Sequence, residues 1–310
     1  MTAQPGEWTL DNPAWAAASP RLSVLIPFYR DDPCGLLRLL DREHAPAEIV
    51  VLDDGSGDAD LALRVAETLE ALRLPARFVR LAANEGRARG RNRLARHARA
   101  ARFLFLDADM APDRPSFLAD WLALIEREDP AAAFGGFSLD QTPRTRANAL
   151  HRAMALKSDC VPAARRALAA AKHVFTSNLL VRRDVFETVA FDEGFSGWGW
   201  EDVEWAMRVA RRWPIVHADI PASHLGLDSA AVLARKYEQS AANFARVVGA
   251  HREVVESYPS YRVARMLKRT PLRPLWRPLL KAAALADALP TAPRALALRL
   301  YRAALYAEAV

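Results

Sequence analysis

Acidic and basic side chains follow three short apolar runs of this 310-residue chain. Asp53 and Asp54 end one run, Asp107 and Asp109 follow another, and the arginine-rich segment 84–93 follows a third. Metal ions bind carboxylate oxygens, and arginine pairs with phosphate. These residue types, brought to one place, favour the binding of a metal-bound diphosphate.

Two interpretations of the acidic pairs stay open from the residues alone. Asp107 and Asp109 are separated by one residue, so in an extended strand both side chains point to the same side, where both can face a divalent cation. The alternative is a solvated turn or a helix N-terminus, because aspartate is favoured in both. Asp53-Asp54-Gly55 also has the composition of a turn.

A second candidate site is the segment Gly-Trp-Gly-Trp-Glu-Asp at residues 197–202. Aromatic faces such as those of Trp198 and Trp200 stack on sugar rings, and a carboxylate such as Asp202 can accept a hydroxyl proton. The alternative is that both tryptophans lie in the core and that Glu201 and Asp202 form a favourable first helical turn.

The elements that must position these residues alternate between strand and helix. Such repeated units predict a parallel, doubly wound α/β sheet, whose ligands bind beyond the carboxyl ends of the strands. The predicted strands of the first half are Leu22–Ile26, Glu48–Leu52, Ala76–Arg80 and Arg102–Leu106, and the helices between them are Leu36–Arg42, Asp60–Arg73 and Arg87–Ala100. In the second half, the hydrophobic pattern predicts further elements in this order: helix Pro115–Arg127, strand Ala132–Ser138, helix Thr145–Ala171, strand Val174–Val181, helix Arg182–Val189, loop Phe191–Trp200, helix Glu201–Arg212, strand Ile215–His217 and proline-interrupted helices from Asp228 onward.

Composition and charge exclude several classes of protein. Hydrophobic residues make up 51% and charged residues 26%, which excludes a mostly disordered chain. Two cysteines are too few for a disulfide framework, and no apolar run is long enough for a transmembrane helix. The N-terminus lacks the pattern of a signal peptide, so we expect a cytoplasmic protein.

Four sequence blocks in this order resemble family 2 glycosyltransferases of the GT-A fold: Val-Leu-Ile-Pro-Phe-Tyr, Val-Leu-Asp-Asp-Gly-Ser, Asn-Glu-Gly-X-Ala-X-Gly-X-Asn and Leu-Asp-Ala-Asp. The Gly-Trp-Gly-Trp-Glu-Asp block resembles the acceptor half of galactosyltransferase-like members. The resemblance covers about Leu22 to Asp228 and implies a GT-A domain (21–228) with a nucleotide-sugar half (21–112) and an acceptor half (113–228). An N-terminal extension (1–20) precedes this domain, and the charge and helical pattern of the remaining residues predict a basic helical C-terminal region (229–310).

The resemblance also implies roles for individual residues. The metal ligands would be Asp109, Asp107 and His224, with His217 as the fallback, and the ion would be Mn²⁺ or Mg²⁺. Asp202 would be the catalytic base of an inverting enzyme, with Glu201 orienting the acceptor. The acceptor would lie against Trp198, Trp200 and Glu201. The nucleotide-sugar residues would be Pro27, Tyr29, Asp53, Asp54, Asn84, Gly86, Arg91 and Asp107.

We therefore expect a metal-dependent inverting glycosyltransferase that moves a sugar from a UDP-sugar to a hydroxyl of a glycan or glycolipid used in surface polysaccharide synthesis. One rival is a nucleotidyltransferase, but it requires a glycine-rich phosphate loop after the first strand, which the sequence lacks. The other rival is a non-enzymatic nucleic-acid-binding protein that uses the basic tail. It leaves the acidic strand ends unexplained, and we expect no nucleic-acid partner.

The C-terminal region suggests one further partner. From Arg235 to Val310 there are 14 Lys/Arg and 5 Asp/Glu, whereas the rest of the chain is nearly neutral. In residues 261–310, cations alternate with leucines and a tryptophan, which suits a helix lying on an anionic membrane surface and hence peripheral association with the inner face of the membrane. The alternative is that the leucines pack on the protein body. The residues concerned are the basic Arg265, Lys268, Arg269, Arg273, Arg277 and Lys281 and the apolar Met266, Leu267, Leu272, Leu275, Trp276, Leu279 and Leu280.

Overall fold

A computed structural model describes residues 6–271 and 273–310. The chain forms two compact units. The first contains residues 1–142, 161–193 and 205–226, and the second contains residues 143–160, 194–204 and 227–310. The predicted boundaries at residues 20, 112 and 228 stay predictions. The first five residues of the predicted extension and Leu272 of the tail lie outside the described residues, as do the side chains of Arg273 and Pro274.

The helices and strands follow one another as the alternating pattern predicts. In chain order they are β1 (Glu7–Asp11), β2 (Leu22–Phe28), α1 (Cys34–Leu40), β3 (Ala47–Asp53), α2 (Ala59–Glu70), β4 (Ala76–Leu81), α3 (Arg87–His97), β5 (Arg102–Leu106), β6 (Met110–Pro112), α4 (Phe117–Glu128), β7 (Ala132–Phe134), β8 (Phe137–Ser138), α5 (Ala149–Ser158), α6 (Ala163–Arg166), a 3₁₀ helix (Ala167–His173), β9 (Asn178–Arg182), α7 (Arg183–Thr188), α8 (Glu201–Val209), β10 (Ile215–His217), β11 (Ala222–His224), α9 (Ala230–Val255), α10 (Pro259–Lys268), α11 (Arg273–Leu285) and α12 (Thr291–Tyr306).

The first unit is built on a mixed sheet with the strand order β1-β4-β3-β2-β5-β9-β7-β10. Its centre, β4-β3-β2-β5, is parallel throughout, whereas β1 and β9 run antiparallel to their neighbours. A small second sheet has the order β6-β11-β8.

Successive residues of the central strands enter two different cores. Ile49 and Val51 pack in one cluster with residues of α1, α2 and α4, while Val50 and Leu52 pack in the other with residues of α3 and α7. This alternation follows from the twofold period of a strand and explains why β3 is apolar on both faces. The expected fold class, a mostly parallel α/β sheet flanked by helices, is confirmed.

Two predicted elements are divided in the structure, and the predicted strand Val174–Val181 begins only at Asn178. The strand Ala132–Ser138 is divided at Gly135-Gly136, where Gly136 has φ +102°, and its halves β7 and β8 join different sheets. The helix Thr145–Ala171 is also divided, because Pro162 follows the end of α5 and cannot continue a helix. Strand β1, which pairs with β4, was not among the predicted elements.

The second unit is helical in its described residues. Its core is formed by α5, α9, α11 and α12, with Leu233, Tyr237 and Leu298 among the buried side chains. Ser229 begins α9 by accepting a hydrogen bond from the Val232 N–H. Within residues 6–271 and 273–310, no helix is both long enough and apolar enough to cross a membrane.

Candidate active site

The carboxyl ends of four parallel strands meet at one edge of the large sheet in the first unit. Tyr29 follows β2, Asp54 follows β3, Asn84 follows β4 and Asp107 follows β5. Since β4, β3, β2 and β5 are neighbours in that order, these residues lie along one edge, as predicted.

Asp54 fixes the turn that follows β4. Its carboxylate accepts hydrogen bonds from the Glu85 N–H at 2.8 Å, the Gly86 N–H at 3.0 Å and the Asn84 side-chain amide at 3.0 Å. The Asn84 amide also donates to the Asp54 carbonyl oxygen. Burial raises the pKa of Asp54, although the two backbone N–H groups act to lower it. Asp54 and Asn84 therefore hold the start of α3 in place.

Gly55 allows this turn to lie directly against β3. Its φ is +69°, and a Cβ at this position would be 2.3 Å from the backbone carbon of Ala83. Any side chain would therefore push the Asn84–Gly86 turn away from Asp54.

Asp53 is completely buried, and Tyr29 is exposed. The Asp53 carboxylate accepts a hydrogen bond from the Ser56 N–H through Oδ1, whereas its Oδ2 has no hydrogen-bond partner and lies 3.5 Å from Arg80 Nε. Pro27, in β2, is partly buried, and the Tyr29 ring is stacked by the Arg30 guanidinium. The region thus combines an exposed aromatic ring with an unsatisfied carboxylate oxygen.

Asp107 faces arginines rather than other carboxylates. Arg91, which is almost fully buried in α3, donates to Asp107 Oδ1 at 2.6 Å, and Arg87 lies 3.8 Å from Oδ2. The Asp107 side chain remains partly exposed. These arginines place positive charge beside the strand ends, where a phosphate group would need it.

Asp109 and His224 form a close pair. Strand β11 pairs antiparallel with β6, with His224 opposite Met110, and this register places His224 Nε2 3.0 Å from Asp109 Oδ2. Burial acts to raise the pKa of Asp109, but the hydrogen bond and charge of His224 lower it, and the net pKa lies below its usual value. The sequence prediction had placed both residues at the metal.

The candidate metal site is incomplete among the side chains that the structure describes. No group of three His, Cys, Asp or Glu residues in the described part of the chain is arranged around a common point. Asp109 and His224 nevertheless offer oxygen and nitrogen donors that suit Mn²⁺. An unprotonated imidazole nitrogen and a carboxylate oxygen both carry lone pairs, so their approach to 3.0 Å requires a proton or a cation between them. The pair therefore fits two ligands of a divalent ion, while Asp107 is held by Arg91.

His217, the fallback ligand, is engaged elsewhere. Its Nδ1 accepts a hydrogen bond from Arg166 Nε at 3.2 Å, so Nε2 carries the proton and donates to the Ala170 carbonyl oxygen at 3.1 Å. Burial lowers the pKa of His217 to about 4. Both ring nitrogens are thus occupied, and His224 is the better ligand candidate.

In the second unit, the predicted acceptor segment is an ordered turn. Gly197 and Gly199 have φ values of +68° and +90°, and Trp200 has the uncommon value of +78° for a residue with a side chain. The Asn243 amide donates to the carbonyl oxygens of Ser196 and Gly199, both at 2.9 Å. The side chain on α9 therefore fixes the turn that leads into α8.

The two tryptophans of this turn have different surroundings. Trp200 packs against Phe244 and Tyr306, and its indole N–H donates to the Tyr306 hydroxyl at 2.9 Å. Trp198 lies 6.1 Å from the Tyr237 ring, between centroids. Both tryptophans are partly buried. Because Trp200 contacts two rings and donates a hydrogen bond to one of them, it is mainly a packing residue of this unit.

The carboxylates that follow are at the start of α8. Glu201 and Asp202 are both buried, and Asp202 Oδ1 accepts from the Val203 N–H at 2.8 Å. Glu204 lies one turn further along α8, and its Oε1 forms a hydrogen bond with His251 Nε2 at 3.0 Å. A buried carboxylate at this helix start is favoured by the helix dipole.

Gly226 is a residue of the Asp109 site that was not predicted from the sequence. Gly226 lies so close to Asp109 that a Cβ there would be 2.1 Å from Asp109 Oδ2. Its position two residues after His224 was visible in the sequence, but the packing that excludes a side chain was not.

Residues 23–190 match the profile of a protein family described as glycosyl transferase family 2. The chain belongs to this family. The match covers more than half of the chain and includes β2 to α7 and therefore the strand ends described above. No curated protein matches the chain significantly in sequence.

Solved glycosyltransferase structures share the fold at low sequence identity. A mannosyltransferase from Pyrobaculum calidifontis, PcManGT, solved with GDP-Man and Mn²⁺, is 17% identical, with a TM-score of 0.62 over 96% of this chain and 89% of that one. Residues 1–349 of S. aureus TarS, solved with UDP-GlcNAc, are 18% identical, with a TM-score of 0.54 over 91% of this chain and 89% of that one. The family and the fold together identify this chain as a family 2 glycosyltransferase of the GT-A type.

Proposed function

We propose that this protein is a metal-dependent, inverting glycosyltransferase that transfers a sugar from a UDP-sugar to a hydroxyl acceptor on a glycan or glycolipid of surface polysaccharide synthesis. The observation that carries the proposal is the Asp109–His224 pair at 3.0 Å, next to the strand end that holds Asp107 and Arg91. The solved neighbours with GDP-Man and Mn²⁺ and with UDP-GlcNAc support the class of donor.

The donor's nucleoside is assigned to the ends of β2, β3 and β4. Asp53 Oδ2 has no hydrogen-bond partner, and a base N–H would supply one. Uracil presents one such N–H at N3 and guanine presents one at N1, so this contact fits the proposed UDP-sugar and also a GDP-sugar. Tyr29 offers an exposed ring to the base, while Asp54, Asn84 and Gly86 hold the loop between them.

The diphosphate is assigned to the Asp107–Asp109 strand end. Asp109 and His224 would hold the divalent ion, with Asp107 two residues before Asp109, and Arg87 and Arg91 would contribute positive charge. When bound, such an ion neutralises the negative charge that develops on a diphosphate leaving group.

The proton acceptor is assigned to Asp202. An attacking hydroxyl becomes a better nucleophile when a carboxylate takes its proton in the transition state. Direct attack on the anomeric carbon inverts its configuration. Glu201 is assigned to orienting the acceptor, with the ring of Trp198 available for stacking against a sugar.

A donor screen tests the proposal. UDP-sugars and GDP-sugars would be incubated with the full chain, with Mn²⁺ or with chelator, and released nucleoside diphosphate measured. We expect release from a UDP-sugar only with the metal. Release from no nucleotide sugar under any acceptor condition, or undiminished release in chelator, would contradict the proposal.

We also propose that the C-terminal helices lie on an anionic membrane surface that carries the acceptor. Met266, Leu275 and Leu279 are well exposed, and Arg265 and Arg269 are exposed beside them in sequence. Other residues of the predicted tail pack or pair within the unit: Leu267 is buried, Arg277 pairs with Glu308 and Lys281 pairs with Glu238. The membrane proposal therefore rests on the exposed subset.

A further inference from the structure

The amino end of strand β1 lies at the edge of the large sheet where the donor residues are. Strand β1 runs antiparallel to β4, so Glu7 is opposite Leu81, at the carboxyl end of β4. The other end of β1, Asp11, is opposite Arg77. Because the Asn84–Gly86 turn comes shortly after Leu81, Glu7 is the residue of β1 that the register places nearest to this turn.

Glu7 carries a buried carboxylate that two residues of α3 contact. Its side chain is only 2% exposed. Oε2 accepts a hydrogen bond from Arg93 Nη1 at 3.2 Å, and Oε1 lies 3.0 Å from His97 Nε2. Glutamate is rarely buried to this extent unless it is paired, and here both oxygens have a nitrogen partner.

Arg93 connects this carboxylate to the donor turn. Its Nη2 donates to Glu85 Oε1 at 2.5 Å and its Nε donates to Glu85 Oε2 at 3.0 Å, which is the bidentate geometry of an arginine–carboxylate pair. The Glu85 N–H in turn donates to Asp54 Oδ1 at 2.8 Å. A continuous series of contacts therefore joins Glu7, through Arg93 and Glu85, to Asp54.

The stability of β1 alone does not account for a buried ionic group at this position. Strand β1 is already held to β4 by its backbone pairing. A buried ion pair contributes little net stability, because both charges lose their hydration. The planar fork of arginine does, however, fix the orientation of the carboxylates that it pairs with. Arg93 is thus suited to determine where Glu85 and the turn lie.

We propose that Glu7 is a positioning residue of the donor site, which acts through Arg93 and Glu85 to hold the Asn84–Gly86 turn in the geometry that binds the nucleotide. Glu7 itself does not contact the donor. Without its carboxylate, the Arg93 guanidinium loses one of the two carboxylates that orient it. This inference rests on the proposed function and extends the donor site to the edge strand of the sheet.

Titration of the full chain with UDP in the presence of Mn²⁺ tests this role. Glu7→Gln keeps the size of the side chain but removes its charge. We expect UDP affinity to fall roughly 2- to 30-fold, the range over which residues change a binding site through a network of contacts. The donor KM should rise correspondingly while kcat is unchanged, because Asp202 and the Asp109–His224 pair are not altered.

Asp11→Asn is the matched control, because it makes the same chemical change at the other end of the same strand. Asp11 accepts hydrogen bonds from Arg77 at 2.6 and 2.7 Å, so its substitution also removes an ion pair between β1 and β4. We expect this variant to bind UDP as the wild type does. Thermal unfolding of each variant establishes that the titrations are made on folded protein.

Amide hydrogen exchange, followed by NMR, tests the position of the turn without any nucleotide. The N–H groups of Glu85 and Gly86 both donate to the Asp54 carboxylate. We expect both amides to exchange at least about twofold faster in Glu7→Gln, because hydrogen bonds of a loosened segment open more often. In Asp11→Asn their exchange should match that of the wild type.

The outcomes separate this inference from the proposed function. Wild-type UDP affinity in folded Glu7→Gln, unchanged exchange of both amides, or an equal loss of affinity in Asp11→Asn would overturn the positioning role. If Glu7→Gln does not fold, Arg93→Lys, which keeps the charge but loses the fork, is held to the same criteria. If the wild-type chain does not bind UDP with Mn²⁺, the proposed donor is wrong, whereas the amide exchange still decides whether Glu7 positions the turn.

Discussion

The Asp109 carboxylate and the His224 imidazole share a proton or a cation at 3.0 Å, and a substitution at either residue removes one donor. We expect Asp109→Asn and His224→Ala to weaken Mn²⁺ binding in the presence of UDP by about 100-fold, a loss typical of altered metal sites. The Mn²⁺ affinity is measured from the electron paramagnetic resonance signal of free Mn²⁺ during a titration.

Asp140→Asn provides the control, because it makes the same chemical change at an exposed position of the same unit. Unchanged Mn²⁺ affinity in both Asp109→Asn and His224→Ala would remove these residues from the metal site.

Asp202 is expected to act on the acceptor rather than on the donor. Asp202→Asn keeps the size of the side chain but removes the proton acceptor, so kcat should fall about 100-fold or more while UDP binding persists. Steady-state rates and the anomeric configuration of the product, read by NMR, check this. A product with retained configuration, or a variant of near-normal kcat, would refute the role of Asp202.

The short β6–β11 pair positions Asp109 and His224, the proposed metal ligands, through close backbone packing. Gly226, just after β11, leaves room for the Asp109 carboxylate, and a Cβ there would be 2.1 Å from Oδ2. We expect Gly226→Ala to displace the carboxylate and to weaken Mn²⁺ binding at least about tenfold, with little loss of stability, because the Asp109 side chain is partly exposed and can rotate.

Gly35→Ala is the matched control for this substitution. A Cβ at Gly35 in α1 meets nothing within 4 Å, so this variant should bind Mn²⁺ normally. If Gly226→Ala also binds Mn²⁺ normally, the close approach is not required for the site.

Strand β10 carries a histidine that makes the first unit sensitive to acid. His217 has a pKa of about 4 because it is buried, whereas an unfolded histidine titrates near 6.5. The unfolded state therefore binds the extra proton first, and stability is lost as the pH falls from about 6.5 toward 4.

Between pH 7 and pH 5, these two pKa values of His217, folded and unfolded, lower the free energy of unfolding by about 2 kcal/mol. NMR titration of the imidazole and chemical unfolding at both pH values measure the effect. His217→Gln should reduce the pH dependence, whereas His44→Gln, at an exposed histidine, should leave it unchanged. An imidazole of His217 that titrates near pH 6.5 would contradict the expected loss.

The elements around the donor residues were predictable because their signals are local. Strands β2, β3 and β5 are mainly apolar runs, and β3 and β5 are followed by the acidic residues, so parallel pairing alone brings Asp54 and Asp107 to one edge. The division at Gly135-Gly136 and the pairing of β11 with β6 depend on contacts between distant residues. A single sequence contains no local signal for such pairings.

The packing of side chains was the least predictable part of the candidate site. The spacing of Asp107 and Asp109 suggests two carboxylates facing one ion, yet Arg91 holds Asp107 while His224 meets Asp109. Trp200 packs on Phe244 and Tyr306, which lie 44 and 106 residues further along the chain. Such partners become visible only when the fold is known.

Charge is distributed unequally between the two units of the molecule. The second unit carries the basic excess and also, among the described residues, the most exposed leucines of the C-terminal helices, Leu275 and Leu279. These leucines are four residues apart on α11 and therefore lie on one helix face. Apolar side chains on one face, together with nearby cations, suit the headgroup layer of an anionic bilayer.

Vesicle flotation of the full chain tests this association. We expect binding to vesicles that contain an anionic lipid at low salt, little binding to neutral vesicles, and release at high salt, because each basic residue near the surface contributes about 1 kcal/mol that salt screens. Leu275→Glu combined with Leu279→Glu should abolish flotation, since both side chains would have to bring a charge into the apolar layer.

The matched control places the same change on an exposed leucine of the other unit. Leu63→Glu alters α2, where Leu63 is 59% exposed, and should leave flotation unchanged. If the wild-type protein stays in solution with anionic vesicles at low salt, or if the double variant floats normally, the α11 face does not bind membranes. A water-soluble acceptor would then be expected for the enzyme.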